Sequence, residues 1–247
     1  SIDKITLRVM DLDKRTAFYT EKMGMKIVER TEDSVTLNYP TLKLVKGATQ
    51  NTRKGYNGMY HMAYLLKDEI TLARFWQHLI KENVRVLGHS DHGFSHAIYF
   101  NDPEYNGIEV YVDMEPSRWP YEDDLLGFVS SRLEPSEYLD QNVEEFNGLD
   151  QSVIWGHIHL SVSDLDRARS FYVDTLHFDV KIETPRTLFV SKDGYHHHIG
   201  MNTWATPAGD LPSDHTGLIS YHMTLTDTPK QTIKDPFGIL VLINEKD

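Results

Sequence analysis

The chain has 247 residues, 40% of them apolar and 25% charged, which is ordinary for a globular protein of one large or two small domains. Its net charge of −12 argues against nucleic acid and anionic membranes as partners, because both bind basic surfaces. The absence of cysteine excludes disulfides, thiolate metal sites and cysteine nucleophiles. No apolar run approaches the roughly 20 residues of a membrane helix, and the N-terminus does not resemble a signal peptide, so we predict a cytoplasmic protein.

The first unit of the chain reads as a strand, a helix and three further strands. Residues 5–19, ITLRVMDLDKRTAFY, begin with the apolar alternation of a strand and continue through Asp11, a good N-cap, into the apolar stripe of a helix. The β-like runs MKIVERT, SVTLNYP and LKLVKG follow. This pattern predicts a βαβββ module.

A second βαβββ module is predicted before residue 113. MYHMAYLL has the pattern of a strand and EITLARFWQHLIKEN that of an amphipathic helix, and VRVLG, HAIYF and GIEVYVD are strand-like. Residues 114–150 are acidic, contain several prolines and lack sustained periodicity. We predict that they form a connector with one or two short helices.

The second half of the chain repeats the first. IHLSVSDLDRARSFY at 158–172 matches residues 5–19 without a gap, and DVKIET, RTLFVS and HHHIGMN follow as predicted strands. YHMTLT at 221–226 mirrors YHMAYL at 60–65, and DPFGILVLI mirrors DPEYNGIEVYV. We therefore predict four modules, paired in chain order into domains at 1–113 and 151–247 with the connector between them.

The fourth module is shorter than the others. The interval from His222 to Asp235 is shorter than that from His61 to Asp102 by about one helix and two strands. Either the truncation is genuine and leaves the sheet open, or a segment is missing from the sequence.

Paired βαβββ modules with this strand–DL–FY signature resemble the vicinal oxygen chelate superfamily, which includes glyoxalase I, bleomycin-resistance proteins and extradiol ring-cleaving dioxygenases. Three stretches, at 90–113, 156–172 and 194–204, are similar to bacterial catechol 2,3-dioxygenase-like proteins. The resemblance implies an α+β fold of two domains of paired βαβββ modules with strongly curved mixed sheets. It also implies a metal in the mouth of a half-barrel.

The resemblance implies metal ligands in the C-terminal domain. In the superfamily a histidine on the first strand of each paired module binds the metal, which points to His157 and His222. The glutamate of the second module would fall at Leu242, so the third, carboxylate ligand is not identified. Glu245 is a weak candidate, because three residues further along a strand it faces the opposite way.

The N-terminal domain departs from the same pattern at a different position. His61 and Glu109 occupy ligand positions, but Lys4 stands where the first histidine is expected. A buried carboxylate without a metal needs a compensating cation. We therefore expect Lys4 to pair with Glu109 in a metal-free structural copy.

Further histidines are candidates for proton transfer and substrate binding. Related ring-cleaving enzymes have an acid–base histidine near the metal, for which spacing points to His197 and strand alternation to His198; a solvated tract is the alternative. Asn202 shares a strand face with His198, and His159 shares one with His157, so we assign both to substrate binding, with a buried polar spacer as the alternative for His159. The remaining cluster, His89, His92 and His96, surrounds a predicted hairpin turn and is expected on the surface.

The resemblance implies an Fe(II)-dependent extradiol dioxygenase that cleaves a catechol-like ring with dioxygen in the breakdown of aromatic compounds. Mn, Zn or Ni could replace iron, and a homo-oligomer is compatible with the sequence. Two alternatives stay open. One is a non-catalytic small-molecule-binding protein of the bleomycin-resistance type, and the other is a glyoxalase-like metal-dependent isomerase or lyase.

Overall fold

The structure, a computed structural model, describes residues 1–52, 55–122, 125–127 and 129–244. It confirms the α+β fold built from repeated β modules. Within the part of the chain that is described, no helix is both long and apolar enough to cross a bilayer.

The first two modules have the predicted order of elements. In the first, β1, α1, β2, β3 and β4 span Ile2–Val9, Leu12–Ala17, Lys26–Arg30, Ser34–Asn38 and Thr41–Lys46. In the second, β5, α2, β6, β7 and β8 span Gly58–Leu65, Glu69–Lys81, Gly88–Asp91, Ser95–Asn101 and Gly107–Asp113. Asp11 and Asp68 cap the two helices by accepting backbone N–H bonds, as their residue type predicts.

The connector contributes short elements, and the third module again follows the predicted order. In the connector, β9, β10, β11 and α3 span Tyr121–Glu122, Leu125–Leu126, Ser131–Arg132 and Ser136–Leu139. In the third module, β12, α4, β13, β14 and β15 span Ile154–Ser161, Leu165–Arg169, Asp179–Thr184, Thr187–Ser191 and Ile199–Asn202. The strand expected from His196 begins only at Ile199, because Asp193 and Gly194 make a turn at positive φ.

The fourth module is short, as the sequence indicates. Its strands β16, β17 and β18 span Gly217–Met223, Gln231–Lys234 and Leu240–Ile243. The described residues from 217 to 244 contain no helix but include one more strand than expected.

The modules pair differently from the expectation. β5 pairs antiparallel with β12, so the second and third modules form one half-barrel, called here the central half-barrel. β1 pairs antiparallel with β16, so the first and fourth modules form the terminal half-barrel. The first strands of the four modules share the same alternation of apolar residues. This pattern therefore does not specify which of these strands pair with each other. The prediction that the modules pair in chain order is therefore wrong. The domain boundaries at residues 113 and 151 stay a prediction.

The two half-barrels share the same irregularities of register. The β5–β12 ladder shifts between Trp155 and His157 and between His159 and Leu160. The β1–β16 ladder shifts at the positions 153 residues earlier, beside Lys4 and Leu7. The ladders therefore align residue by residue.

The connector packs against the central half-barrel rather than spanning two separate bodies. β11 extends the sheet by pairing with β6. Leu126 packs in a buried cluster with Phe94, Ile182 and Phe189. Because β6 and β13 are the outermost strands of the central half-barrel, the connector contacts both edges of its sheet.

Candidate metal centre and cavity

Three side chains that can bind a metal converge in the central half-barrel. Glu109 Oε2 lies 2.8 Å from His61 Nε2 and 3.1 Å from His157 Nε2. The two imidazole nitrogens are 3.2 Å apart. All three residues are buried, and they form the one group of suitable spacing found among the described residues.

The strand ladders bring these residues together around Ala63. On the neighbouring strands, His157 and Glu109 both lie opposite Ala63, and His61 is two residues earlier on the same face. The small side chain of Ala63 leaves the space above the middle strand to the three larger ones. The convergence therefore results from strand order and one small residue.

The donor set fits a divalent metal with open positions. Ligands at right angles about 2.1 Å from an ion lie about 3.0 Å apart, whereas tetrahedral ligands lie about 3.4 Å apart. The observed separations of 2.8, 3.1 and 3.2 Å match the right-angled arrangement on one face of an octahedron. Two imidazoles and one carboxylate so arranged are typical of non-haem Fe(II) sites.

The electrostatics of the cluster favour the protonation states in which Glu109 and His157 can bind a metal. Burial alone raises the pKa of Glu109, but the neighbouring His157 and His61 outweigh it and hold that pKa well below the usual range. Burial lowers the pKa of His157 to about 4, against the opposing effect of Glu109. At neutral pH the carboxylate is charged and the His157 imidazole is neutral, as metal ligation requires.

Of the two histidines expected to share a metal, the structure brings only His157 into this cluster. His222 lies on β16 opposite Lys4 in the terminal half-barrel. Glu109 sits between two imidazoles rather than against Lys4. Leu242, which stands where the superfamily pattern expects the glutamate ligand, lies opposite His222. Glu245, the weak candidate for that ligand, lies outside the described residues.

The cluster of His61, Glu109 and His157 lines a cavity of about 880 Å3. The sequence-predicted residues His159 and His197 also line it, whereas His198 and Asn202 are not among its lining residues. The cavity extends to Gly217 and Leu218 on β16, so both half-barrels contribute to its wall. A pocket of this size suits a small organic ligand.

A chain of hydrogen bonds leads from Asp113 to His197. Asp113 Oδ1 lies 2.8 Å from His196 Nε2, and His196 Nδ1 lies 2.7 Å from His197 Nδ1. In the neutral tautomer of His196 whose Nε2–H donates to the carboxylate, Nδ1 of His196 accepts a hydrogen bond from Nδ1–H of His197. In this arrangement the lone pair of His197 is on Nε2. Its ring packs 4.1 Å from that of His157.

His198 is held away from the cavity, and Asn202 acts through His159. His198 Nδ1 accepts a hydrogen bond from the backbone N–H of Lys192 at 3.2 Å. Burial lowers the pKa of His198 to about 3. Asn202 Oδ1 accepts the Trp204 N–H, which orients the amide so that Nδ2 donates to His159 Nε2 at 2.8 Å. Asn202 therefore fixes the ring of His159.

Sequence reasoning missed a polar pair beside the cluster of His61, Glu109 and His157. Tyr99 and His92 both line the cavity, and the Tyr99 hydroxyl lies 2.7 Å from His92 Nε2. Burial, followed by the charge of Glu109, raises the pKa of Tyr99 well above its usual value. Tyr99 lies directly opposite Glu109 on neighbouring strands, and this placement could have been found from the hairpin between them.

The sequence led us to expect His89, His92 and His96 on the surface. This prediction is wrong, because the three residues are covered. The connector covers them, and all three residues are half-buried. His89 and His92 contact the backbone carbonyls of Leu133 and Val129, and His96 contacts the Tyr138 hydroxyl. A hairpin pattern could not show that a distant segment folds over it.

Comparisons with known proteins agree with this architecture. The model of the Glyoxalase/Bleomycin resistance protein/Dioxygenase superfamily matches residues 1–110 and 154–223. A protein of Bacillus subtilis called catechol-2,3-dioxygenase is 34% identical over 237 residues, covering 90% of this chain and 81% of that protein.

Two solved structures share the fold over nearly the whole chain. A putative dioxygenase from Bacillus subtilis has a TM-score of 0.66 at 13% identity, covering 98% of this chain and 84% of its own. A mutant of glyoxalase I from Zea mays has a TM-score of 0.58 at 14% identity, covering 98% and 91%. The chain belongs to the Glyoxalase/Bleomycin resistance protein/Dioxygenase superfamily.

Proposed function

We propose that the protein is an Fe(II)-dependent ring-cleaving dioxygenase of the extradiol type, acting on a catechol-like ring in aromatic catabolism in the cytoplasm. The observation that carries the proposal is the cluster of His61, Glu109 and His157 on one side of a large cavity. The named Bacillus relative supports the reaction class.

The three ligands leave the cavity side of an ion open for two further molecules. A bound iron would supply a site where a catechol and dioxygen meet and exchange electrons. Mn, Zn or Ni fit the same donors, and the choice of iron rests on the facial arrangement of two imidazoles and a carboxylate.

His197 is the residue that we assign to proton transfer. A catechol must lose a proton to chelate, and the acceptor must stand beside the metal with a free lone pair. His197 lines the cavity, and its hydrogen bond to His196 leaves the lone pair on Nε2. His198 is bound to Lys192 through Nδ1 and is absent from the lining, which favours His197 of the two.

Tyr99 and His92 are further polar groups for the same ligand. Their hydrogen bond places a hydroxyl and an imidazole on the wall next to Glu109. We assign them to orienting the catechol oxygens, and we assign His159, positioned by Asn202, to contact with the substrate ring.

The direct test combines metal content with oxygen uptake. The purified protein, reconstituted anaerobically with Fe(II), should retain about one iron per chain and consume dioxygen when catechol is added. His157→Ala should lose both properties, whereas His222→Ala, a histidine on the other half-barrel, should keep both. Loss of iron in His222→Ala with retention in His157→Ala would contradict the proposal.

The same experiment separates the alternatives. The fold shared with glyoxalase I from Zea mays keeps an isomerase or lyase in view. Stoichiometric metal without oxygen uptake would favour that reaction class. Neither metal nor uptake would favour a binding protein.

A further inference from the structure

The cavity continues beyond the metal cluster along β12. His157, His159 and Ser161 are alternate residues of this strand, and all three line the cavity. At about 3.3 Å per residue, the strand runs roughly 13 Å from His157 to Ser161. The cavity is therefore longer than one chelated ring.

The volume leads to the same conclusion. A cavity of roughly 150 Å3 is enough to hold a benzene ring. The cavity described here has about 880 Å3. A single catechol would leave most of this space to water.

Three aromatic side chains surround the middle of this path. The Tyr60 ring lies 5.2 Å from that of His159 and 5.7 Å from that of Trp204, and the last two rings are 5.6 Å apart. Tyr60 is 37% exposed and Trp204 is 41% exposed, although both line the cavity. Large aromatic surfaces left uncovered in a concave site are suited to stacking against a second ring.

An unpartnered hydroxyl lies at the far end of the same row. Ser161 is 6% exposed, and within the described part of the chain its Oγ is buried without a hydrogen-bond partner. A buried hydroxyl in this state costs free energy that a ligand can recover by bonding to it. The row thus runs from metal ligand to aromatic surface to polar group.

We propose that Tyr60, His159 and Trp204 form a second subsite for an aromatic ring carried by the catechol, and that Ser161 bonds a polar group on that ring. The substrate class is then aryl-substituted catechols with a hydrogen-bonding group on the second ring. This inference rests on the proposed function for the diol end of the ligand.

The test is anaerobic calorimetric titration of the iron-loaded protein with three probes. These are catechol, a phenylcatechol, and the same phenylcatechol with a hydroxyl on its second ring. The phenylcatechol should bind about tenfold more tightly than catechol, and the hydroxylated probe several-fold more tightly again.

Two variants and a control locate the effect. Trp204→Ala should remove most of the tenfold ratio between phenylcatechol and catechol. Ser161→Ala should remove the additional gain of the hydroxylated probe. Tyr121→Ala replaces an exposed aromatic residue that is not among the cavity-lining residues, and it should leave both ratios unchanged.

Two results would overturn the inference. One is equal affinity of the wild-type protein for catechol and phenylcatechol. The other is an affinity ratio that Trp204→Ala and Ser161→Ala do not alter. Failure of the proposed function has a different signature, because catechol would then bind no more tightly with iron than without it. The phenyl ratio measured in iron-free protein would still report on the subsite.

Discussion

The central and terminal half-barrels have the same ladder geometry but different residues at the four positions that build the candidate metal site. His157 corresponds to Lys4, because their strands shift register at the same points. Ala63 lies opposite His157, and its counterpart His222 lies opposite Lys4.

The remaining two ligand positions differ as well. His61 lies opposite His159 on β12, and its counterpart is Ser220, opposite Thr6 on β1. Glu109 lies opposite Ala63, and its counterpart is Leu242, opposite His222. The same ladder therefore forms around both sets of residues, so its geometry does not require the two histidines and the glutamate.

The largest expected effect comes from giving the central half-barrel a residue of the terminal one. Glu109→Leu removes the carboxylate that both imidazoles contact, and it should weaken Fe(II) binding by at least about 100-fold. Leu242→Ala, the matched change, should leave iron affinity unaltered. Competition with a chelator measures the iron affinity of both variants. Equal losses of affinity in the two variants would contradict the placement of the metal site in the central half-barrel.

A second exchange tests the role of the small residue between the ligands. Ala63→His copies the terminal half-barrel and fills the space above β5 with an imidazole. Iron affinity should fall by about tenfold to 100-fold, or the metal should shift to a new ligand set with a changed electronic spectrum. Ala63→Gly, which adds no volume, serves as the control. Unchanged affinity in Ala63→His would contradict the packing argument.

A third comparison concerns stability at the first bulge. A Cβ on Gly156 would meet the Tyr111 hydroxyl at 1.7 Å, and that hydroxyl bonds Tyr195 at 2.6 Å. Gly156→Ala should therefore cost about 3 kcal/mol of unfolding free energy, measured by urea denaturation. Asp3 is the counterpart of Gly156 and is exposed, so Asp3→Ala should cost less than about 0.5 kcal/mol. Similar costs at both positions would contradict the steric explanation.

A smaller effect is expected from the turn of the fourth module. Asp235 accepts the backbone N–H groups of Phe237 and Ile239, but burial outweighs these bonds and raises its pKa to about 6. At a pH between the ordinary pKa of 3.8 and about 6, the folded state therefore keeps a proton on Asp235 that the unfolded chain has released. The stability that this proton contributes is fully present below the pKa of Asp235 in the unfolded chain. It is lost as the pH rises through the pKa of Asp235 in the folded protein.

The corresponding measurement is the pH dependence of unfolding. Between about pH 4.5 and about pH 7, Asp235 should remove about 2 kcal/mol from the unfolding free energy. Asp235→Asn keeps an acceptor for the two N–H groups and should flatten this part of the profile. An unchanged slope in that variant would assign the pH dependence to other groups.

The fold could be predicted from the sequence because its repeat is visible at the level of single residues. Residues 5–19 and 158–172 carry the same strand, N-cap and apolar stripe, and the structure forms the same elements from both. Local periodicity and capping decide such elements, and neither depends on distant parts of the chain.

The site could be predicted only in part, because it depends on which strands meet. Sequence singled out His61, Glu109 and His157 separately but assigned them to different domains. The similarity of YHMAYL and YHMTLT suggests that His222 corresponds to His61. Strand register shifts that correspondence by two residues and equates His222 with Ala63. Register and partner choice are set by whole ladders, which a short matching phrase does not contain.

Anomalous diffraction at the iron edge, from crystals grown anaerobically with Fe(II), tests the central claim most directly. We expect one peak per chain, about 2.1 Å from His61 Nε2, Glu109 Oε2 and His157 Nε2. A peak beside His222 in the terminal half-barrel, or the absence of any peak at these three atoms when iron is bound, would contradict the account.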